Sequence, residues 1–323
     1  LFQTDARHRA FVSRIEQAPT VGATLELTID EYLQHIAERE LRRGIVEHRA
    51  DAGTVIILQP HTGEVLALAN WPTFNPNVFR LFTDEDRRNR ATQGQYEPGS
   101  IFKIVTASAA LEEKVIAPDD LFDVSEGMIH FGARTIHDTT NYGTLSFTDV
   151  IVKSSNVGTI LVGQEIGADR LDEYTRRFGF GRRLSQDFSG ENPGLVWPPE
   201  KLDPSALASV SIGYQIGVTP LQMAVATSVI ANGGNLMEPH VVKALVANGR
   251  RVKMKREPPQ RVITRATATA VTSMLEDVVR RGTATRAQIP GYTIAGKTGT
   301  AQKIVNKTYS KSLYNSSFVG FAP

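Results

Sequence analysis

The chain of 323 residues contains no cysteine, which excludes disulfide bridges, thiolate nucleophiles and cysteine-ligated zinc. It also lacks an excess of one charge: 36 Lys and Arg against 34 Asp and Glu leave a net charge of +2, which gives no indication of a nucleic-acid partner. No stretch approaches the ~20 apolar residues of a membrane-spanning helix. The seven histidines show no H-E-x-x-H spacing, so we interpret them as structural or surface residues.

Hydrophobic residues make up 41% of the sequence, enough for a sizeable buried core in one or two domains. Alternating apolar residues predict strands near both ends of the chain, at 24–30, 53–59, 64–70, 292–302 and 317–321. Helical spacing follows Asp30 and dominates 147–178, 219–232 and 264–281. This order predicts an α+β fold whose sheet is assembled from both ends of the chain. The basic, polar segment 303–315 is predicted to be a mobile loop.

Ser100 opens a helical pattern directly after the turn signal Pro98-Gly99, and Lys103 follows three residues later. If a helix begins near Ser100, the hydroxyl and the amine lie on one face, one turn apart. A serine hydroxyl becomes a good nucleophile only when a neighbouring base takes its proton. Lys103 could act as that base if burial and nearby cations lowered its pKa towards neutrality. Taken alone, the pair also fits an N-cap serine beside a solvated lysine.

A second polar pair, Ser154 and Asn156, lies at a break between two helical patterns. A tight connection there would let the hydroxyl and the amide face one cleft. The same residues also fit an ordinary helix cap or Asx turn. The pair is therefore informative only in combination with other sites.

The third stretch is Lys297-Thr298-Gly299-Thr300, in a predicted strand. Alternate side chains of a strand share a face, so Thr298 and Thr300 would point the same way, with Lys297 opposite or at the rim. Gly299 removes bulk and would let the backbone of a ligand lie alongside. The residues also fit an edge strand weakened by glycine.

The patterns S-x-x-K, S-x-N and K-T-G-T occur in this order, separated by about fifty and about one hundred and forty residues. The chain resembles the penicillin-recognising serine transferases, and among them the class B penicillin-binding proteins, monofunctional peptidoglycan D,D-transpeptidases, most closely of the cell-division type. The resemblance covers roughly residues 24–323. It includes Leu27-Thr28-Ile29-Asp30, Gly63-Glu64-Val65-Leu66-Ala67, Glu97-Pro98-Gly99-Ser100, Gly213-Tyr214-Gln215-Ile216 and the stretch from Ala295 to Gln302.

The resemblance implies an antiparallel sheet with helices on both faces and an inserted all-helical subdomain. It also implies a catalytic role for each matching residue. Ser100 would attack the penultimate D-Ala of a stem peptide ending in D-Ala-D-Ala and form an acyl-enzyme. Lys103 would take the Ser100 proton, and Ser154 would relay it to the leaving amine. Asn156 would hydrogen-bond the substrate amide and help to hold Lys103.

The resemblance further implies how the substrate is bound. Lys297 would add positive field near the substrate carboxylate, and the Thr298 and Thr300 hydroxyls would hold that carboxylate beside Gly299. The backbone N–H groups of Ser100 and Thr300 would form the oxyanion hole. No metal or organic cofactor has a role in such a mechanism.

The expected partners are stem peptides, β-lactam antibiotics that trap Ser100, a membrane glycosyltransferase and other divisome or elongation proteins. The expected location is the outer face of the bacterial cytoplasmic membrane, with the membrane anchor absent from this chain. Residues 1–23 would be a connector from a missing N-terminal pedestal. Residues 24–323 would be the transpeptidase domain, C-terminally incomplete because the family sheet has a further strand. The alternative is that another chain supplies that strand.

Three other functions stay open at this point. A serine β-lactamase uses similar motifs but needs a group that activates a deacylating water, for which Glu191 is the one candidate. A D,D-carboxypeptidase of the same fold would transfer the acyl group to water. A penicillin-binding sensor or divisome scaffold would bind without turnover, although the complete set of motif residues argues against an inactive site.

Overall fold

The computed structural model describes residues 2–7, 10–13, 22–132, 134–306 and 308–322. The chain divides into two compact units. The smaller unit contains Leu1–Leu27 and Val242–Lys255, and the larger contains Thr28–Val241 and Arg256–Pro323. The predicted connector, residues 1–23, lies partly outside the described residues. The proposed boundary at residue 24 stays a prediction.

Within the described residues, the strands in chain order are β1 (Phe2–Thr4), β2 (Ala10–Ser13), β3 (Thr24–Leu27), β4 (Gly53–Leu58), β5 (Val65–Trp71), β6 (Leu121–Asp123), β7 (Met128–Phe131), β8 (Arg134–His137), β9 (Thr144–Ser146), β10 (Asn235–Leu236), β11 (Val242–Ala247), β12 (Arg250–Lys253), β13 (Gln260–Arg261), β14 (Ala295–Val305) and β15 (Thr308–Phe321). The helices are α1 (Glu31–His48), α2 (Asp84–Arg87), α3 (Arg90–Gln93), α4 (Lys103–Glu112), α5 (Phe147–Lys153), α6 (Asn156–Ile166), α7 (Ala168–Arg177), α8 (Pro204–Ser211), α9 (Pro220–Ala231) and α10 (Arg265–Arg281). None of the described helices is both long and apolar enough to span a bilayer.

The smaller unit is built of antiparallel strands. Strand β1 pairs with β2, and a separate sheet has the order β12–β11–β3. Leu245 in the central strand lies opposite both Leu25 and Val252, so one apolar row crosses all three strands. The strand predicted at 24–30 is confirmed over its first four residues.

In the larger unit, the predicted hairpin is confirmed as the antiparallel pair β4–β5. Helix α1 begins where predicted, because the Asp30 side chain accepts a hydrogen bond from the Leu33 backbone N–H. Side chains at helical spacing, among them Leu33, Ala37 and Leu41, pack against the β4–β5 pair. The apolar side chains that alternate along these strands therefore form the surface on which α1 packs.

Helix α4 is buried in the larger unit, and every residue from Lys103 to Ala110 is buried. It packs against α6, α7 and α10. A helix that is apolar on all sides has to be covered on all sides, which explains why the surrounding chain is helical. The helical patterns predicted at 147–178, 219–232 and 264–281 are confirmed as α5 to α7, α9 and α10.

The last two strands form a long antiparallel hairpin in which Lys297 lies opposite Val319 and Thr300 opposite Ser316. The prediction of a loop over 303–315 is wrong, because β14 extends to Val305 and β15 begins at Thr308. The polar composition of this segment does not indicate a strand, but pairing between the two strands provides hydrogen-bond partners for its backbone N–H and C=O groups. Helix α9 packs against both β4 and β15, and the predicted α+β class with antiparallel strands is confirmed. Among the described residues, β4–β5 and β14–β15 are two separate antiparallel pairs and not the single sheet that the sequence predicts.

Candidate active site

Ser100 lies on a 3₁₀ turn, Gly99–Phe102, that leads directly into α4. The α-helix therefore begins at Lys103 and not at Ser100, and the Lys103 N–H donates to the Ser100 carbonyl across the turn. Gly99 adopts φ +56°, a region that favours glycine. The Ser100 side chain is half-buried. The turn thus presents the hydroxyl just before the buried helix that carries Lys103.

Strand β14 lies against this turn. A Cβ placed on Gly99 would lie 3.2 Å from Ala301 Cβ, and one on Gly299 would lie 3.0 Å from both Ile101 Cγ2 and the Pro98 carbonyl oxygen. Because Gly299 has no side chain, the Ser100 turn can pack closely against the buried face of the strand. The S-x-x-K and K-T-G-T segments, about two hundred residues apart in sequence, are brought into contact by this fit.

The S-x-N segment is the junction between α5 and α6, as its sequence predicts. Ser154 ends α5 in the left-handed region with φ 60°, and Ser155 caps α6 by accepting from the Gly158 N–H at 2.9 Å. Asn156 is the first residue of α6. The sharp turn lets Ser154 and Asn156 face the same buried amine.

That amine is Lys103 Nζ, whose side chain is fully buried. It donates to the Ser154 carbonyl at 2.7 Å, to Asn156 Oδ1 at 2.9 Å and to the Ser155 carbonyl at 3.1 Å. Ser154 Oγ is a further, longer partner at 3.4 Å. Within the described residues, no hydrogen bond joins Lys103 Nζ to Ser100 Oγ. The S-x-N junction therefore holds the amine.

Lys297 reaches the same junction from β14. It is fully buried, and its Nζ donates to Ser154 Oγ at 2.8 Å and to the Thr298 carbonyl at 3.1 Å. The sequence allows Lys297 to lie opposite the threonines or at the rim, and the structure places it on the opposite, buried face. Ser154 Oγ is thus a shared acceptor of both lysines.

The electrostatics of the site favour neutral amines. Burial, together with the nearby Lys297 charge, lowers the pKa of Lys103 well below its ordinary value. Burial lowers the pKa of Lys297 to about 7. A lowered pKa favours the free base, which is the form that can accept a proton, as the expected role of Lys103 requires.

Thr298 and Thr300 occupy the other face of β14. Thr300 is exposed and Thr298 half-buried, and Thr298 Oγ1 lies 2.8 Å from Thr283 Oγ1, which follows α10. The predicted common orientation of Thr298 and Thr300 agrees with this burial pattern. Their hydroxyls are available to a ligand that lies along the strand.

Comparison with known proteins matches the penicillin-binding protein transpeptidase domain family to residues 53–323. The chain belongs to this family. The structure of penicillin-binding protein 3 from Mycobacterium tuberculosis in complex with aztreonam is among the similar structures, with a TM-score of 0.88 and 34% identity, covering 99% of this chain and 77% of that one. The fold of a penicillin-binding protein transpeptidase domain is therefore shown.

Curated relatives of this transpeptidase domain include PbpB of Mycolicibacterium smegmatis, 36% identical over 94% of this chain and 48% of the relative. Stage V sporulation protein D of Bacillus subtilis is 32% identical over the whole chain and 51% of the relative. A Pseudomonas aeruginosa protein named probable peptidoglycan D,D-transpeptidase PbpC is 35% identical over 96% of this chain and 54% of its own length. The chain spans about half the length of these relatives.

Sequence patterns in the transpeptidase domain do not reveal two residues of the site. Asp138 accepts from Ser155 Oγ at 2.6 Å and from the Val157 N–H at 3.1 Å. No local pattern points to Asp138, because its partners lie 17 to 19 residues away. Ser155 contributes its carbonyl to Lys103, and its preference as a helix N-cap is the signal that could have found it.

Glu191, the candidate for activating a deacylating water, is buried, and its hydrogen bonds are made with its own loop and not with Ser100 or Lys103. Its two oxygens accept from the Leu184 N–H at 2.9 Å and the Ser185 N–H at 3.0 Å. Burial raises the pKa of its carboxyl group. These contacts give Glu191 a structural role in ordering its loop.

Proposed function

We propose that this chain is a serine-type peptidoglycan D,D-transpeptidase domain that cross-links stem peptides through an acyl-Ser100 intermediate and is acylated by β-lactams. The observation that carries the proposal is the convergence of two buried lysine amines on Ser154 Oγ, beside the turn that bears Ser100. A solvated lysine near a helix cap would show neither the burial nor the shared hydroxyl. The proposal covers the domain and extends to the longer protein only by analogy with its relatives.

Acylation begins with attack of Ser100 Oγ on the carbonyl of the penultimate D-Ala. Lys103 Nζ, in its free-base form, takes the hydroxyl proton as the C–O bond forms. The proton passes through Ser154 Oγ to the nitrogen of the terminal D-Ala, which leaves as the C–N bond breaks. Asn156, fixed by Lys103 on one side, offers its amide to the substrate peptide.

Charge that develops on the carbonyl oxygen is received by the backbone N–H groups of Ser100 and Thr300. The close packing of the Ser100 turn on β14 supports this assignment. The terminal carboxylate of the substrate binds the Thr298 and Thr300 hydroxyls on the more exposed face of β14. Lys297 supplies positive field from the buried side of the strand. Deacylation by the amine of a neighbouring stem peptide completes the cross-link.

Because the Glu191 carboxylate orders its own loop, it does not activate a deacylating water. We therefore expect slow hydrolysis of the acyl-enzyme and no β-lactamase activity. We further propose that the longer protein works at the outer face of the bacterial cytoplasmic membrane, in cell division or cell shape. Its partners there would include a membrane glycosyltransferase and other divisome or elongation proteins.

The experiment that tests the function supplies a D-Ala thioester analogue of the stem peptide as donor and a D-amino acid as acceptor. We expect aminolysis product from the wild-type chain and none from Ser100→Ala. Hydrolysis product alone would indicate a carboxypeptidase. Stable acylation by penicillin without any reaction of the thioester would indicate a sensor and contradict the proposal.

A further inference from the structure

Asp138, which directly follows β8, places its carboxylate at the start of α6. Oδ2 accepts from Ser155 Oγ at 2.6 Å, and Oδ1 accepts from the backbone N–H groups of Asn156 and Val157. A carboxylate at a helix N-terminus satisfies N–H groups that have no partner within the helix and interacts favourably with the helix dipole. Asp138, which belongs to a different segment of the chain, therefore fixes the position of the S-x-N junction.

Two of the residues that Asp138 fixes, Ser155 and Asn156, also provide acceptors for Lys103. The Ser155 carbonyl and Asn156 Oδ1 accept from Lys103 Nζ at 3.1 and 2.9 Å. The neighbouring His137 carbonyl accepts from Asn156 Nδ2 at 2.9 Å, which directs Asn156 Oδ1 towards the amine. The loop at 137–138 thus determines the orientation of both acceptors.

We propose that Asp138 is a positioning residue for acylation, which orients the acceptors of Lys103 Nζ and supplies the negative charge that acts on this amine. The proposal rests on the proposed function, because it assigns Asp138 to the step in which Lys103 takes the Ser100 proton. Asp138 touches neither substrate nor the reacting atoms in this scheme. It acts through Ser155, Asn156 and the electrostatic field.

Two charged groups act on Lys103 within the described part of the chain. Burial lowers the pKa of Lys103 most, the charge of Lys297 from β14 lowers it further, and the charge of Asp138 from the segment after β8 raises it. The remaining groups at the amine, from Ser154, Ser155 and Asn156, are neutral. Removing the Asp138 charge therefore disfavours the protonated amine, and the free base forms at lower pH.

The test measures the second-order rate of acylation by benzylpenicillin between pH 5 and 10, for the wild-type chain and Asp138→Asn. The asparagine side chain of this variant keeps a carbonyl oxygen for the α6 N–H groups but carries no charge. We expect the acidic limb of the rate profile to move by about one pH unit to lower pH. We expect the plateau rate to fall about tenfold, because the acceptors are held less well.

Two further variants separate charge from structure. Asp30→Asn removes the cap carboxylate of α1, which does not act on Lys103, and should leave the profile in place. Ser155→Ala removes the Oδ2 partner but keeps the Asp138 charge, and should lower the plateau about tenfold without moving the limb. Melting temperatures measured in parallel report loss of folding, and Ser155→Ala tests the positioning role even if Asp138→Asn fails to fold.

An unshifted limb in folded Asp138→Asn would overturn the electrostatic part of the proposal. An unchanged plateau in Ser155→Ala would overturn the positioning part. If benzylpenicillin acylates Ser100 of the wild-type chain, either result leaves the proposed function intact. A wild-type chain that benzylpenicillin does not acylate would instead overturn the function on which the proposal rests.

Discussion

Lys103 Nζ and Lys297 Nζ donate to the same hydroxyl, Ser154 Oγ, at 3.4 and 2.8 Å. Two ammonium ions so close together in a buried site repel each other, and burial removes the water that would screen them. The stable arrangement has at least one neutral amine at neutral pH. The positive charge of one lysine therefore favours the free-base form of the other, which is the form that accepts a proton, and Ser154 links the two amines.

Removing this link tests the arrangement directly. Ser154→Ala leaves both amines without their common acceptor and breaks the proposed proton relay. We expect the second-order rate of acylation by a fluorescent penicillin to fall about 10²- to 10³-fold. Ser228→Ala is the matched control, since it removes a hydroxyl that donates to the Val225 carbonyl within α9. Equal rates in the two variants would contradict the shared-hydroxyl mechanism.

The burial of Lys297 predicts a dependence of stability on pH. Its pKa is about 7 in the folded chain, against an ordinary 10.5. Between these values the unfolded chain binds more protons than the native state, so the free energy of unfolding rises with pH, and the cost of the buried charge is largest below pH 7. We expect Lys297→Met to raise the melting temperature by several degrees at pH 6 and by less at pH 9.

The control for that comparison is Lys253→Met, which replaces an exposed lysine of β12 and should change the melting temperature similarly at both pH values. A stabilisation by Lys297→Met that is as large at pH 9 as at pH 6 would show that the lysine does not lose its charge in this interval. Differential scanning fluorimetry across a buffer series is sufficient.

Gly99 is predicted to be required for the contact between the Ser100 turn and β14. Gly99→Ala adds about 1–2 kcal/mol of backbone strain at φ +56° and forces a Cβ against Ala301. We expect acylation to fall at least about tenfold, because the turn moves away from β14. Gly143→Ala introduces similar strain at φ +71° with nothing within 4 Å. Its acylation rate should stay at the wild-type level, and a loss as large as that of Gly99→Ala would point to strain alone.

The sequence predicts the parts of this molecule that depend on local patterns. The break at Ser154 is visible because two small polar residues interrupt helical spacing, and the β4–β5 hairpin is visible because its apolar residues alternate. The start of α1 follows from the capping preference of Asp30. These features need no knowledge of distant residues.

Other features depend on contacts far apart in sequence. The segment 303–315 looks like a loop because it is basic and polar, yet its first residues extend β14 to Val305 and its residues from Thr308 onward belong to β15, which pairs with β14. Helix α8 escapes prediction because its pattern is short, although Asp203 at its N-cap and Pro204 at its first position are typical start signals. The depth at which Lys297 is buried and the contacts of Asp138 arise only when separate segments meet.

The most direct test of the acyl-serine assignment is the intact mass of the chain after incubation with benzylpenicillin, for the wild type and for Ser100→Ala. We expect a stable adduct of one penicillin per wild-type chain and no adduct on the variant. An adduct that persists in Ser100→Ala would show that another residue is the nucleophile. A wild-type chain that quickly returns to its free mass while the drug is consumed would show a β-lactamase and contradict the assignment as a transpeptidase.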